Sequence, residues 1–287
     1  RVRNYETDTY GHVNQVNYLR YMQEAAIDAS TAVRYDEATY LQMGSLWLIR
    51  ETEIEYFHAL KFGDSVEVAT WVSDFRRVRS RRFYEMHLAG SGELVARASI
   101  DWVYLDRASQ RPIAIPEAMI VAFAPEGPEA LPPGERRDKF PEPPPPPPGA
   151  FTMRRRVEWR DVDSAGHVNN AVYLSYMEES AIEQSASIGW PMTRMRDDGF
   201  GMIARRHLFD YRHQAVLGDE LDVTTYLSEP RRSSIIRNFI VARPNGEIVA
   251  RSRSLYICVN LAKNMPMRIP QQVMEEFADV VAAPQGE

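Results

Sequence analysis

Two stretches of the chain carry the same spacing of apolar positions. Over residues 16–34, Leu19, Met22, Ala25, Ala26 and Ala29 recur at intervals of three and four, and Tyr18 and Tyr21 widen the stripe. This predicts a helix with one apolar face. Residues 171–188 read the same way, and Gly189-Trp190-Pro191 ends that helix, because proline cannot continue it. After each helix the period falls to that of strands. Strands are predicted at 46–58, 65–75, 79–90 and 93–105, and again at 202–213, 220–229, 233–243 and 246–259. Gly63-Asp64, Ser91-Gly92, Gly218-Asp219 and Asn245-Gly246 mark the turns. Short turns join antiparallel neighbours. A short strand is expected ahead of each helix, at 2–6 and 153–160. One long apolar helix followed by an antiparallel sheet is an α+β unit, with the sheet wrapped around the helix.

The second unit copies the first. Residues 6–28 (ETDTYGHVNQVNYLRYMQEAAID) and 161–183 (DVDSAGHVNNAVYLSYMEESAIE) agree at twelve of 23 positions without a gap, at an offset of 155 (163 − 8). Phe62-Gly63-Asp64 matches Leu217-Gly218-Asp219 at the same offset. Residues 92–97 match 246–251, and Ile115-Pro116 matches Ile269-Pro270, both at 154. So long a period means duplication of a whole domain rather than a solenoid. Between the copies, Pro143–Pro148 is a run without backbone donors, which favours an extended polyproline helix. The expected organisation is therefore a domain over 1–123, a semi-rigid proline-rich linker over 124–150, and a second domain over 151–287.

Composition narrows the class. A chain of 287 residues, 44% hydrophobic and 26% charged, has material for two cores. A net charge of −6 argues against nucleic acid as a partner. No apolar run approaches the roughly 20 residues of a membrane span. A single cysteine, Cys258, excludes an internal disulfide and fits a reducing, cytoplasmic setting. The chain opens on Arg1 rather than Met, which leaves open a targeting segment upstream. No His/Cys cluster suggests a metal, and no glycine-rich phosphate loop follows a strand.

The candidate chemistry lies where the duplication is strongest. In Asp8-Thr9-Tyr10-Gly11-His12-Val13-Asn14-Gln15, Asn14 stands at the N-cap of the predicted helix, whose first amides lack internal partners. Those amides and the helix dipole can hold developing negative charge. Gly11 allows a tight turn and a close approach to the backbone. Asp8 puts a carboxylate just ahead of these donors. A carboxylate beside an oxyanion-stabilising amide suits acyl transfer to water, by attack on the carbonyl or by activating a water. Asp163, Gly166, His167, Asn169 and Asn170 rebuild the arrangement. The same residues also serve as ordinary capping and turn chemistry, but a histidine (His12, His167) in a cap loop has no structural necessity.

Asp-x-x-Gly-His-Val-Asn-Asn-x-x-Tyr-Leu-x-Tyr-x-Glu-Glu resembles the signature of the hotdog-fold thioesterases, in their 4-hydroxybenzoyl-CoA and acyl-ACP branches. Residues 163–179 match it almost letter for letter, and the first copy departs at Gln15 and Gln23. The resemblance implies two hotdog domains packed as an intramolecular pseudo-dimer. It implies Asp8 and Asp163 as nucleophile or general base, the amides of Gln15 and Asn170 as oxyanion donors, and His12 and His167 as groups that orient water or polarise the thioester. It also lets Glu24 and Glu179 line the site, although a glutamate within a helix is usually solvated. The plant-type enzymes carry an Asn where this chain has Ala165, and a Glu-Cys pair where it has Gln214-Ala215. That favours the simpler pairing of Asp and amide.

Arg76, Arg77 and Arg79, with Arg231 and Arg232 in the second copy, read equally as solvated hairpin tips or as contacts for coenzyme A phosphates or an acidic acyl carrier protein. Tyr56-x-His58 and Tyr211-x-His213 read as structural, and Cys258 as buried packing. The expected activity is hydrolysis of acyl-CoA or acyl-ACP to a carboxylic acid and a thiol. It needs no cofactor beyond the substrate's own thiol carrier. The rivals are a non-catalytic acyl-thioester binding module and a hotdog-fold hydratase or dehydratase. Further homo-oligomerisation of the pseudo-dimer is left open.

Overall fold

In the computed structural model, which describes residues 1–132 and 140–283, both long helices form. The chain divides into two units, Arg1–Lys139 and Phe140–Glu287. In the first, Asn14 caps α1 (Gln15–Ala32) and its side chain accepts the Val16 amide at 2.9 Å. A cap of this kind stabilises a helix by about 1 kcal/mol. The buried face of α1 is Val16, Tyr18, Leu19, Met22 and Ala26. It packs on a sheet made of β1 (Ser45–Tyr56), β2 (Val66–Phe75), β3 (Arg79–Leu88) and β4 (Leu94–Asp106). The strands run antiparallel in the order β2-β3-β4-β1. Side chains alternate between the faces of a strand. On β3 the buried set is Ser80, Arg82, Tyr84 and Met86, opposite Trp102, Ile100, Ala98 and Ala96 of β4. Helices α2 (Glu37–Gln42) and α3 (Glu117–Phe123) complete the unit. Buried Tyr104, Ile115 and Met119 pack there against half-buried Tyr35, Tyr40, Trp47, Phe75 and Phe123.

The second unit begins with β5 (Phe151–Arg156), and then α4 (Asn170–Ser187) repeats α1, capped by Asn169. Next come α5 (Met192–Asp197), β6 (Phe200–Tyr211), β7 (Glu220–Ser228), β8 (Ser234–Ala242), β9 (Ile248–Asn260), β10 (Met265–Pro266) and α6 (Gln271–Glu276). The strand order is β6-β9-β8-β7-β5, all antiparallel, with β10 beside β9. Trp190, Phe200, Ile235, Cys258, Val273 and Phe277 are buried in one cluster. Cys258 is the expected packing residue, and burial pushes its thiol up to about 11.

Three expectations change. No strand forms over residues 2–6: Val2 exchanges backbone bonds with Gly63 and Asp64, and Asn4–Glu6 winds into a 3₁₀ turn. The strand expected at 153–160 stops at Arg156, and Trp159–Asp161 makes the equivalent turn. The cause is the acidic third residue of each turn, which takes the amide just ahead of it. Glu6 accepts from Arg3 N at 2.6 Å, and Asp161 accepts from Glu158 N at 2.8 Å. Of the proline-rich segment expected over 124–150, residues 133–139 lie outside the described residues. The part from Phe140 onward lies against the second unit instead of spanning open space. Pro144 is buried and its carbonyl accepts the Tyr226 hydroxyl at 2.5 Å. Arg251 stacks over Phe140 at 4.7 Å and takes both Glu142 carboxylate oxygens, at 2.5 and 3.0 Å. Prolines offer only carbonyls, so the donors must come from the sheet.

Candidate active site

In each unit the backbone ties the acidic loop to the start of the long helix. Around Asp8, the Asp8 amide donates to the His12 carbonyl at 2.7 Å, and the Gly11 amide returns to the Asp8 carbonyl at 3.0 Å. Gly11 sits at φ +76°, a left-handed conformation that L side chains rarely adopt. One Asp8 carboxylate oxygen accepts the Tyr10 and His12 amides at 2.8 and 3.2 Å. The loop is sewn to its surroundings by Asn14 N to Glu6 O and Val13 N to Leu60 O, both 2.8 Å.

The second copy reproduces the backbone bonds of this loop. Asp163 N reaches His167 O at 2.9 Å, Gly166 N reaches Asp163 O at 3.0 Å, and Gly166 has φ +84°. Asp163 Oδ1 accepts the Ala165 amide at 2.9 Å. Asn169 N reaches Asp161 O and Val168 N reaches Ala215 O, both at 2.9 Å. Among the described residues, nothing accepts from the Asn170 amide at the first position of α4. Asp163 and His167 are half-buried, and in the first copy Asp8 is exposed and His12 half-buried.

Two repeated tyrosines of the Tyr-Leu-x-Tyr stretch hold the scaffold, through bonds that their place on the helix stripe does not announce. Tyr18 and Tyr173 accept the Leu60 and Ala215 amides at 3.1 and 3.2 Å, pinning the loop after the first long strand to the helix. Burial pushes the Tyr18 phenol up to about 12 against the pull of that amide. Tyr176 donates to Asp161 Oδ2 at 2.6 Å, tying the 3₁₀ turn two residues ahead of Asp163 to the second turn of α4. Burial, and then Asp161, raise the Tyr176 phenol above its ordinary range. The positional signal for these residues was the 155-residue offset: Glu6 and Tyr21 are their first-copy equivalents.

The remaining candidates stand outside the two loops. Glu24 is exposed on α1, nine residues past Gln15, about 13 Å along the helix. Glu179 is exposed and pairs with Arg155 at 3.1 Å. Arg76, Arg77 and Arg79 are exposed at the β2–β3 turn, as are Arg231 and Arg232 at the β7–β8 turn. Arg81 pairs with Asp101 through two bonds of 2.6 and 3.1 Å. His58 and His213 make repeated surface pairs with Glu93 and Glu247, at 3.2 and 3.6 Å. Ala215, where a plant-type enzyme would carry its thiol, is fully buried.

Comparison with known proteins agrees with this anatomy. The family model described as the thioesterase-like superfamily matches residues 2–123 and again 157–277. A chloroplast acyl-[acyl-carrier-protein] hydrolase of Cuphea viscosissima is 27% identical over 136 residues, 47% of this chain and 33% of that protein. The chain thus spans about a third of the length of this plant relative. The long-chain acyl-CoA thioesterase FadM of Escherichia coli K12 is 28% identical over 130 residues, 44% of this chain and 96% of that protein. Among solved structures, a 12:0-ACP thioesterase from Umbellularia californica superposes with a TM-score of 0.71 at 17% identity, covering 90% of this chain and 92% of that one. An acyl-ACP thioesterase from Bacteroides thetaiotaomicron gives 0.69 at 17% identity, covering 89% and 94%. At such identities the likeness speaks for the fold, a helix-and-sheet unit used twice. With both of its halves matched by one family model, the chain belongs to the thioesterase-like superfamily.

Proposed function

We propose that the protein hydrolyses acyl thioesters, of coenzyme A or of an acyl carrier protein, to a carboxylic acid and a thiol. The observation that carries this reading is the Asp163 loop. Its carboxylate is oriented by the Ala165 amide in a loop folded back on the N-terminus of α4, where the Asn170 amide has no acceptor among the described residues. Asp163 supplies the attacking oxygen or takes a proton from the attacking water. The Asn170 amide, at the positive end of the helix, receives the charge that develops on the carbonyl oxygen. The tetrahedral intermediate then collapses with loss of the thiolate, which takes up a proton; where Asp163 itself has attacked, a water then hydrolyses the mixed anhydride, releasing the acid and restoring the carboxylate. Asp8 and the Gln15 amide form the pseudo-equivalent pair. His12 and His167 orient the water or polarise the carbonyl. The exposed arginines at the strand turns offer contacts for the phosphates of coenzyme A or for an acidic carrier. The chemistry needs no added cofactor, and the lone thiol fits a cytoplasmic role in acyl metabolism.

Free-thiol release from a panel of acyl-CoAs and acyl-ACPs tests this. Asp163→Asn combined with Asp8→Asn should lower kcat by at least about 100-fold, the usual scale for removing a positioned acid–base group. Each single substitution shows which unit is active, and Asp163 is expected to dominate. Turnover indifferent to the double substitution rejects these residues. Tight acyl-CoA binding without thiol release points to the binding module instead.

A further inference from the structure

Each unit buries one arginine at the same place in the repeat, Arg82 on β3 and Arg237 on β8, each 7% exposed. Among the described residues, neither guanidinium has a carboxylate partner. A buried cation without a counter-charge is costly, so each needs other acceptors. In the second unit the chain supplies them. Gln184 of α4 presents its Oε1 to Arg237 Nη1, and Thr225 Oγ1 accepts from the same nitrogen at 3.2 Å. The Gln184 amide group is fixed in turn by the Thr225 carbonyl at 3.1 Å.

The first unit lacks this arrangement. The residue 155 before Gln184 is Ala29, a half-buried position on α1 with no side-chain acceptor. Arg82 keeps only the threonine, Nη1 to Thr70 Oγ1 at 3.3 Å, and stacks over the Phe123 ring at 5.6 Å. Two further donors gather beside it. These are the Tyr84 hydroxyl and the Trp102 indole N–H, both buried. The Tyr84 hydroxyl lies beside Arg82 and within hydrogen-bonding reach of Trp102 and Thr70. The Thr70 hydroxyl is already spent on the Phe83 carbonyl at 2.9 Å. In the second unit the corresponding residues are Phe239 and Tyr256, so that unit has no matching pair of donors. Buried donors are almost always paired. Here Arg82, Tyr84 and Trp102, carrying one positive charge, gather near Tyr40 and Phe123 with no carboxylate among them.

We propose that this cluster of Arg82, Tyr84 and Trp102 binds a carboxylate at the far end of an acyl chain, so that the favoured thioesters are those of α,ω-dicarboxylic acids. A carboxylate offers the negative charge that Arg82 lacks and lone pairs for its remaining N–H groups. The position of the Gln184 oxygen in the second unit marks where such an acceptor sits in the first. The substrate class rests on the thioesterase reading above, whereas the anion site does not.

The test uses the full chain in two assays. Calorimetric titration compares a saturated α,ω-dicarboxylic acid with the monocarboxylic acid of equal length. Hydrolysis compares the ω-carboxyacyl-CoA with the plain acyl-CoA of that length. The diacid and its thioester should be favoured by about 10- to 100-fold, the worth of one buried hydrogen bond to a charged group. Arg82→Met should bring both ratios near one. So should Ala29→Gln, which copies the second unit's own solution and should hold or raise the melting temperature as it does so. Equal affinity for mono- and diacid overturns the proposal, as does a preference that survives both substitutions. Diacid binding without hydrolysis of any thioester keeps the site and rejects the hydrolase reading. Hydrolysis with no preference keeps the hydrolase reading and rejects the site.

Discussion

His207 should make the second unit sensitive to acid. It is 0% exposed on β6, opposite Ser254 of β9. Its Nδ1 lies 2.6 Å from the Ser254 hydroxyl, and the rings of Phe209 and Tyr256 stand 5.5 and 6.3 Å away. Burial disfavours the imidazolium and pushes the pKa from 6.5 down to about 3. Between those values the unfolded chain binds a proton that the folded chain refuses. Stability is therefore complete above 6.5 and declines as pH falls through the window toward about 3. At a little over 1 kcal/mol per unit, two units below the unfolded pKa cost about 3 kcal/mol. The comparison is His207→Thr, because Thr52 occupies the equivalent place on β1 at 2% exposure. Urea unfolding at pH 7.5 and pH 4.5 gives the loss for each chain. Carboxylates titrate in both, so the difference between the two losses isolates the imidazole. The variant should lose about 3 kcal/mol less than the parent on acidification. Equal losses would refute the claim that the folded state holds His207 neutral.

Two further outcomes follow from the site. Tyr176→Phe removes the 2.6 Å bond to the buried Asp161 carboxylate. It should cost about 1.5–3 kcal/mol in urea unfolding and lower kcat more than it raises KM, because the turn ahead of Asp163 loses its tether. A KM effect alone would show that the tether does not position the acid. Gly166→Ala introduces a Cβ that meets nothing within 4 Å but must adopt φ +84°. Melting should register a loss of about 1–2 kcal/mol from backbone strain alone. A larger loss would mean that the loop has rearranged.

The fold was largely legible in the sequence because two local periodicities survive in it. The stripe on α1 and the alternation in the strands are set by which side of each element meets the core. Both copies report them, and turn glycines punctuate them. The acidic loops were legible for the same reason: Asp8, Gly11, Asn14 and their copies act through backbone bonds within a few residues of each other. The 3₁₀ turns at Asn4–Glu6 and Trp159–Asp161 were missed because a residue two places ahead of the loop decides them, through a side-chain bond that periodicity does not register.

Arg82 shows what composition hides. Within Arg76-Arg77-Val78-Arg79-Ser80-Arg81-Arg82 every arginine reads alike, and the whole run suggests equally a solvated tip or a contact for a phosphate or an acidic carrier. The register of β3 against β4 sends Arg81 to Asp101 and buries Arg82 opposite Ile100. One step along a strand separates an ordinary ion pair from a buried, uncompensated charge. The sequence alone determined the duplication, the α+β class and the two acid loops, because each depends on neighbours in the chain. Only the tertiary structure decided that Gln184 answers Arg237 and that Ala29 leaves Arg82 unanswered. That choice depends on which side chains a helix and a sheet bring together across a core, and residues some fifty positions apart carry no local mark of it.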